Sequence, residues 1–234
     1  MSDVAEPAGA TAEVMGPWGE VRTVPQAVQR LAREKLMALY RASPWLEKID
    51  GAAMAIVRAD VTHKKRLKML RALADKVNAA VSKEAACKRG CNACCKIQVE
   101  MSVWEAGLIG AELGLEVKTP PELNDSKARS LELLGRACGF LKEGECSIYE
   151  SRPLACRIHH SLNLDAAMCQ PDVKPEDSMV PSLTLTGIKE VYAVCSGSMR
   201  MHDLSDFFEE ARRGEQEQAW VEDAAVADSG VTGA

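Results

Sequence analysis

Nine cysteines stand in a chain of 234 residues, and the first 86 positions and the last 39 contain none of them. The densest run is Cys87-Lys88-Arg89-Gly90-Cys91-Asn92-Ala93-Cys94-Cys95. Gaps of two or three residues let one tight turn aim two thiolates at one ion, as in zinc knuckles and ribbons. Gly90 and Asn92 reach left-handed backbone conformations at low cost, which such turns often need. Lys88, Arg89 and Lys96 favour thiolate over thiol. Packing alone is the competing explanation, because positions 87, 91, 94 and 95 share one helix face and could bury small apolar side chains. Gly90 weakens a helix there, and four cysteines in nine positions are hard to explain as packing.

A second set is spread over Cys138, Cys146, Cys156 and Cys169. Arg152 and Arg157 bracket Cys156 and are the candidate cofactor-binding charges. A four-thiolate zinc centre carries about −2 by charge counting, and a buried charge of that size needs compensation. His159 and His160 follow closely, and one ring nitrogen could join the ligands, although a histidine is more often simply hydrogen-bonded. Cys195 lies among Val191, Tyr192 and Val194 and reads as a packed thiol. The candidate metal ligands are therefore Cys87, Cys91, Cys94, Cys95, Cys138, Cys146, Cys156 and Cys169. Eight thiols exceed the four that one zinc ion or one [4Fe–4S] cluster takes. Either two centres form or some thiols stand outside the coordination shell.

The apolar fraction of 47% suffices for a sizeable core, built mostly from Leu, Ala, Val and Met because aromatic residues are few. The excess of acidic over basic residues gives −5, which argues against a general nucleic-acid binder. The N-terminal residues show no basic start followed by an apolar run, and no stretch approaches the roughly 20 apolar residues of a membrane helix. These features predict a cytoplasmic chain. In that reducing compartment, clustered cysteines indicate metal or redox chemistry rather than structural disulfides.

The elements that position the cysteines are expected to be mainly α, a helical scaffold around an irregular cysteine-rich metal-binding core with one or two short β segments. Residues 1–22 read as a disordered lead. Residues 23–86 form a helical region, its first helix opened by a Thr23/Gln26 capping box and its second by Ser43-Pro44. A third helix over about 60–85 carries Leu67, Leu70, Leu73, Ala74, Val77 and Val81 as its apolar stripe. The basic residues Arg58, Lys64, Lys65, Arg66, Lys68 and Arg71 give the surrounding stretch a strong positive charge. They suit a solvated face better than a phosphate-binding patch, since no aromatics interleave them.

Residues 87–170 form the metal-binding domain. Within it a short strand covers Ile97, Val99 and Met101, a Ser102/Glu105 capping box opens a helix to about Gly114, and Leu123–Ala137 is helical. Ser147–Tyr149 is a further short strand. Residues 171–213 supply a loop and helices near 186–195 and 204–213 that pack on the domain, and residues 214–234 are a disordered acidic tail.

The segment from Cys87 to Cys156 resembles the CxxCxxCC cysteine-cluster family, also called the YkgJ family. The resemblance rests on Cys91-Asn92-Ala93-Cys94-Cys95, on Cys138-Gly139-Phe140-Leu141, and on Cys146-Ser147-Ile148-Tyr149-Glu150-Ser151-Arg152-Pro153-Leu154-Ala155-Cys156-Arg157. It implies chelation of zinc or iron. Two features depart from the pattern: three residues separate Cys87 from Cys91 where the family name implies two, and Asn92 stands where glycine is common. The family is also similar to a domain of the enzymes that N-methylate flagellin lysines, which are associated with an iron–sulfur cluster.

The leading expectation is a metal-binding protein whose partner is a metal ion, with a protein partner left open. An iron–sulfur enzyme acting on a protein side chain ranks second, since no glycine-rich S-adenosylmethionine loop is evident. A thiol–disulfide redox protein ranks third.

Overall fold

The computed structural model describes residues 11–15, 21–88, 90–121, 126–171, 180–197 and 200–214. The loop expected over 171–182, the start of the helix expected at Leu123 and the acidic tail beyond Gly214 fall largely outside these residues.

The fold is mainly helical, with three two-stranded antiparallel sheets. In the expected lead, β1 (Thr11–Met15) pairs with β2 (Val21–Pro25). Thr23 therefore lies in a strand and does not cap the first helix. Pro25 disfavours helical backbone at Val24, and α1 (Gln26–Ala42) begins directly after the proline without a side-chain cap. Pro44–Lys48 forms a single tight turn and α2 (Ile49–Arg58) follows.

The third helix, α3 (His63–Val81), is capped by the Thr62 hydroxyl, which accepts the N–H of Lys65. Of its predicted stripe, Leu67, Leu70, Ala74, Val77 and Val81 are buried and Leu73 is half-buried. One member of its basic run is also inside. Arg71 is buried and donates two hydrogen bonds to the carboxylate of Glu112, at 3.0 and 3.1 Å.

The cysteine run is not α-helical. Gly90 takes a φ of +91°, the left-handed role foreseen for it, whereas Asn92 stays at −121°. Ala93–Lys96 then makes one turn of 3-10 helix. After β3 (Glu100–Met101), α4 (Val103–Leu113) is capped as expected at its first residue: Ser102 Oγ accepts the N–H of Glu105 at 3.2 Å. Gly114 closes it with a left-handed φ of +69°, as a glycine C-cap should.

After α5 (Ser126–Leu133), β4 (Leu141–Lys142) and β5 (Glu145–Cys146) form a minimal hairpin. The two loop residues, Glu143 and Gly144, both have positive φ, as the favoured two-residue turns require. The strand foreseen at Ser147–Tyr149 thus lies one step earlier, and Tyr149–Ser151 is a helical turn. Two helices follow, α6 (Leu154–Ile158) and α7 (Thr186–Cys195). The last, β6 (His202–Asp203), pairs with β3, and α8 (Leu204–Phe207) is short.

Two apolar clusters organise these elements. The first joins the inner faces of α1, α2, α3 and α7 with Leu154 and Leu162. The second is smaller and holds Val99, Met101, Ile109, Phe140, Phe207 and Phe208. The cysteine segment lies where the two meet.

Between them runs a buried polar link. Glu105 is fully inaccessible, and its carboxylate accepts the N–H of Leu154 at 2.8 Å and the hydroxyl of Tyr192 at 2.7 Å. Tyr192 in turn accepts the N–H of Ser102. Glu105 therefore anchors the start of α6, the helix that carries Cys156, rather than closing a capping box.

Candidate metal centre

Each cysteine is presented by short, locally determined structure. The 3-10 turn Ala93–Lys96 carries Cys94 and Cys95, with Cys95 N–H bonded to Asn92 O at 2.9 Å. Cys138 N–H reaches across to Cys95 O at 2.8 Å, which fixes the first cysteine segment against the second. Cys146 sits opposite Leu141 in the β4–β5 hairpin, and Leu141 N–H is bonded to Cys138 O. Cys156 is central in α6, and Cys169 ends the turn Ala167–Cys169.

Gly139 is required by this arrangement. A Cβ there would stand 2.3 Å from Glu210 O and 2.6 Å from Arg212 O, so only glycine lets the chain after Cys138 pass the C-terminal turn.

These segments enclose a cavity of about 410 Å³. Cys87, Cys91, Cys94 and Cys95 line it from the first segment, and Cys146, Cys156 and Cys169 line it from the second. Cys138 is buried among the residues of the second apolar cluster, in company with Cys95, Cys146 and Cys156. All nine cysteines are free thiols. As they are placed, no three of the described His, Cys, Asp and Glu side chains are grouped to hold an ion. The thiols share a cavity without closing on a point.

Cys195 is elsewhere, inside the first apolar cluster and 1% exposed. Cys195→Ser is expected to leave bound metal unchanged while costing about 1–3 kcal/mol for burying a hydroxyl. Metal analysis beside a chemical melt checks both halves of that expectation.

Of the flanking groups, Arg152, Lys88 and His159 line the cavity. Arg157 stands behind it, 3% exposed. It pairs with Asp75 on α3 and donates to the carbonyls of Arg152 and Glu150. It thereby fixes the loop that places Arg152, whose guanidinium lies 3.8 Å over the Tyr149 ring.

His160 is turned away from the cysteines. Its Nε2 accepts the N–H of Leu183 at 2.9 Å, and burial, helped by the charge of His159, depresses it to about 4. His159 is also shifted down by burial and by Lys189, so its imidazole is neutral, the form that a metal takes.

A partner that the sequence does not reveal is Arg213. It bonds Asp203 at 2.7 Å beneath Cys95, and its guanidinium also donates to the carbonyls of Arg136 and Cys95. Arg213 follows Asp203 by ten positions, across α8, an extended Phe208 and a further helical turn, so no spacing rule flags the pair.

Burial pushes the thiols of Cys87, Cys146, Cys156 and Cys169 upward, and that of Cys138 to about 11. Cys95 runs the other way. The hydrogen bond from the Cys94 thiol, opposed by burial and aided by Arg213, brings it to about 7, while Cys94 rises as the donor. In the metal-free chain, alkylation of the Cys95 peptide should show a midpoint near pH 7, and Cys94→Ala should move it upward. An unchanged midpoint would remove the hydrogen bond as its cause.

A bound cation would make thiolates favourable at the buried donors that are shifted upward. Soft thiolate donors of this kind suit zinc and iron–sulfur centres.

Residues 86–176 match the family model CxxCxxCC, described as "Putative zinc- or iron-chelating domain". The match covers about two fifths of the chain. The match begins just before Cys87 and extends past Cys169, so it contains all eight candidate ligands and leaves out Cys195. The helices before and after this segment lie outside the match. No curated protein and no solved structure shows significant similarity to the chain. Among the described residues, no helix is long and apolar enough to cross a membrane.

Proposed function

We propose that the chain is a metal-binding protein that chelates zinc or iron through thiolates of the CxxCxxCC domain, in the reducing cytoplasm. The observation that carries this reading is the single cavity onto which seven thiols from two distant segments open. Cys87, Cys91, Cys94, Cys95, Cys138, Cys146, Cys156 and Cys169 are the donors, and Arg152 with Lys88 offsets their charge. His159 is the one histidine positioned to join them. A bound ion would deprotonate the donors and release those protons, so affinity falls as pH is lowered. The helical region before Cys87 and the segments after Gln170 act as the scaffold.

A second reading, an iron–sulfur centre, is favoured by the cavity's size: about 410 Å³ holds more than one bare ion, and the thiols stand apart around it. Such a centre is compatible with an enzyme acting on a protein side chain.

Purification without oxygen, followed by metal analysis and a visible spectrum, separates these readings. Colourless protein with stoichiometric zinc supports the chelating scaffold. Brown protein with iron and acid-labile sulfide supports the cluster. Metal-free protein that keeps its fold would contradict both and favour thiol–disulfide chemistry at Cys94 and Cys95.

A further inference from the structure

We propose that the eight thiols form two separate four-thiolate centres: an inner one of Cys95, Cys138, Cys146 and Cys156, and an outer one of Cys87, Cys91, Cys94 and Cys169. This rests on the metal-binding reading and divides its ligands.

The inner set is defined by the second apolar cluster. Cys95, Cys138, Cys146 and Cys156 all pack with the second cluster, around Phe140 and Phe208, whereas Cys87 packs against the first. Backbone bonds bring the inner set together. Cys138 N–H donates to Cys95 O, Leu141 N–H donates to Cys138 O, and Leu141 is the strand partner of Cys146. Cys156 enters from α6 and packs against the same apolar cluster.

The outer set has its own tether. Ser161 N–H donates to Cys87 Sγ at 3.2 Å, and the Ser161 side chain bonds Cys169, so one residue holds two thiols that lie far apart in the chain. Cys91 and Cys94 line the same cavity as Cys87 and Cys169, and Cys94 stands near Cys95 and Cys156 as well as Cys87, at the border between the two sets.

The adjacent cysteines are the divide. On a 3-10 turn, successive side chains diverge by about 120°, so Cys94 and Cys95 can serve different centres while their sulfurs stay in hydrogen-bond contact. Four donors for each of two ions is the closed count of structural zinc sites. It uses every cysteine of the domain.

The test is a titration of the full, reduced chain with zinc alone, read as ions per chain by mass spectrometry. Wild type should bind two. Cys91→Ser, Cys169→Ser and their double variant should each bind one, because any outer loss removes the same centre. Cys138→Ser should lower the count through the inner centre. If that variant fails to fold, the outer variants decide alone. One ion in the wild type, or two ions falling to none in Cys169→Ser, would overturn the division while leaving metal binding intact. No zinc bound by the folded wild type would instead remove the metal-binding reading itself.

Discussion

Cys156→Ser should lower bound metal and lower stability by several kcal/mol, moving the melting temperature toward that of wild type stripped by a chelator. Cys156 stands where three segments meet. It lines the cavity, packs with Cys95, Cys138 and Cys146, and belongs to the helix that Glu105 anchors through Leu154 N–H. Burial keeps its thiol well above the usual range, so without a cation it contributes only packing.

With a metal bound, the binding free energy is also folding free energy, on the order of 10 kcal/mol for structural zinc in small peptides. Removing one of four donors forfeits much of that. The serine itself is nearly the same size, so the loss would report coordination and not a cavity. Calorimetry with metal analysis on the same sample checks it, and full metal content in the folded variant would contradict the assignment of Cys156.

Asp203→Asn should cost about 3–5 kcal/mol, because it strands the buried guanidinium of Arg213 without its counter-charge. Asp203 is 0% exposed and the Arg213 side chain 3%. The same carboxylate accepts the N–H of Val99 at 2.8 Å and that of Ser205 at 2.9 Å, so it also caps α8 and holds the chain after the cysteine turn.

Burial alone would raise Asp203. The hydrogen bonds and charge of Arg213, with the bonds from Ser205 and Val99, outweigh it and leave the group below its ordinary value. A lowered folded pKa contributes stability that is fully present above the unfolded value, about 3.9, and is lost as pH falls through the folded one. The gap between wild type and Asp203→Asn, measured by urea melts, should therefore be widest near neutrality and narrow below about pH 4. A constant gap across that range would mean that the carboxylate's charge is not what stabilises.

What the sequence shows and what it hides separate along physical lines. Helices whose apolar residues recur at helical spacing, such as α3 and α7, are legible because the pattern itself is the cause of their burial. The cysteine turn is legible because Gly90 has few alternatives. Contacts between distant residues are not: nothing local tells that Glu105 turns inward to Leu154 and Tyr192, or that Arg213 returns to Asp203.

Two local misreadings have local reasons. Thr23 and Gln26 have the spacing of a capping box, but Val21-Arg22-Thr23-Val24 is a β-prone alternation held extended by Pro25. The expected helix over 204–213 breaks at Phe208, whose backbone is extended. Phe207 and Phe208 are both completely buried, and a continuous helix would turn one of two neighbours away from the core. The cysteines were selected by type and spacing. That seven of them line one cavity was not legible, because it depends on the hairpin and on α6.

The measurement that bears most directly on the shared site is alkylation of the full chain, purified without oxygen, followed peptide by peptide before and after chelation. Convergence on metal predicts that chelation raises the labelling of cysteines in both 87–95 and 138–169 together, with Cys195 unaffected. Labelling that responds in one segment only, or in neither, would mean that the two runs of sulfur do not meet on a common metal-binding site.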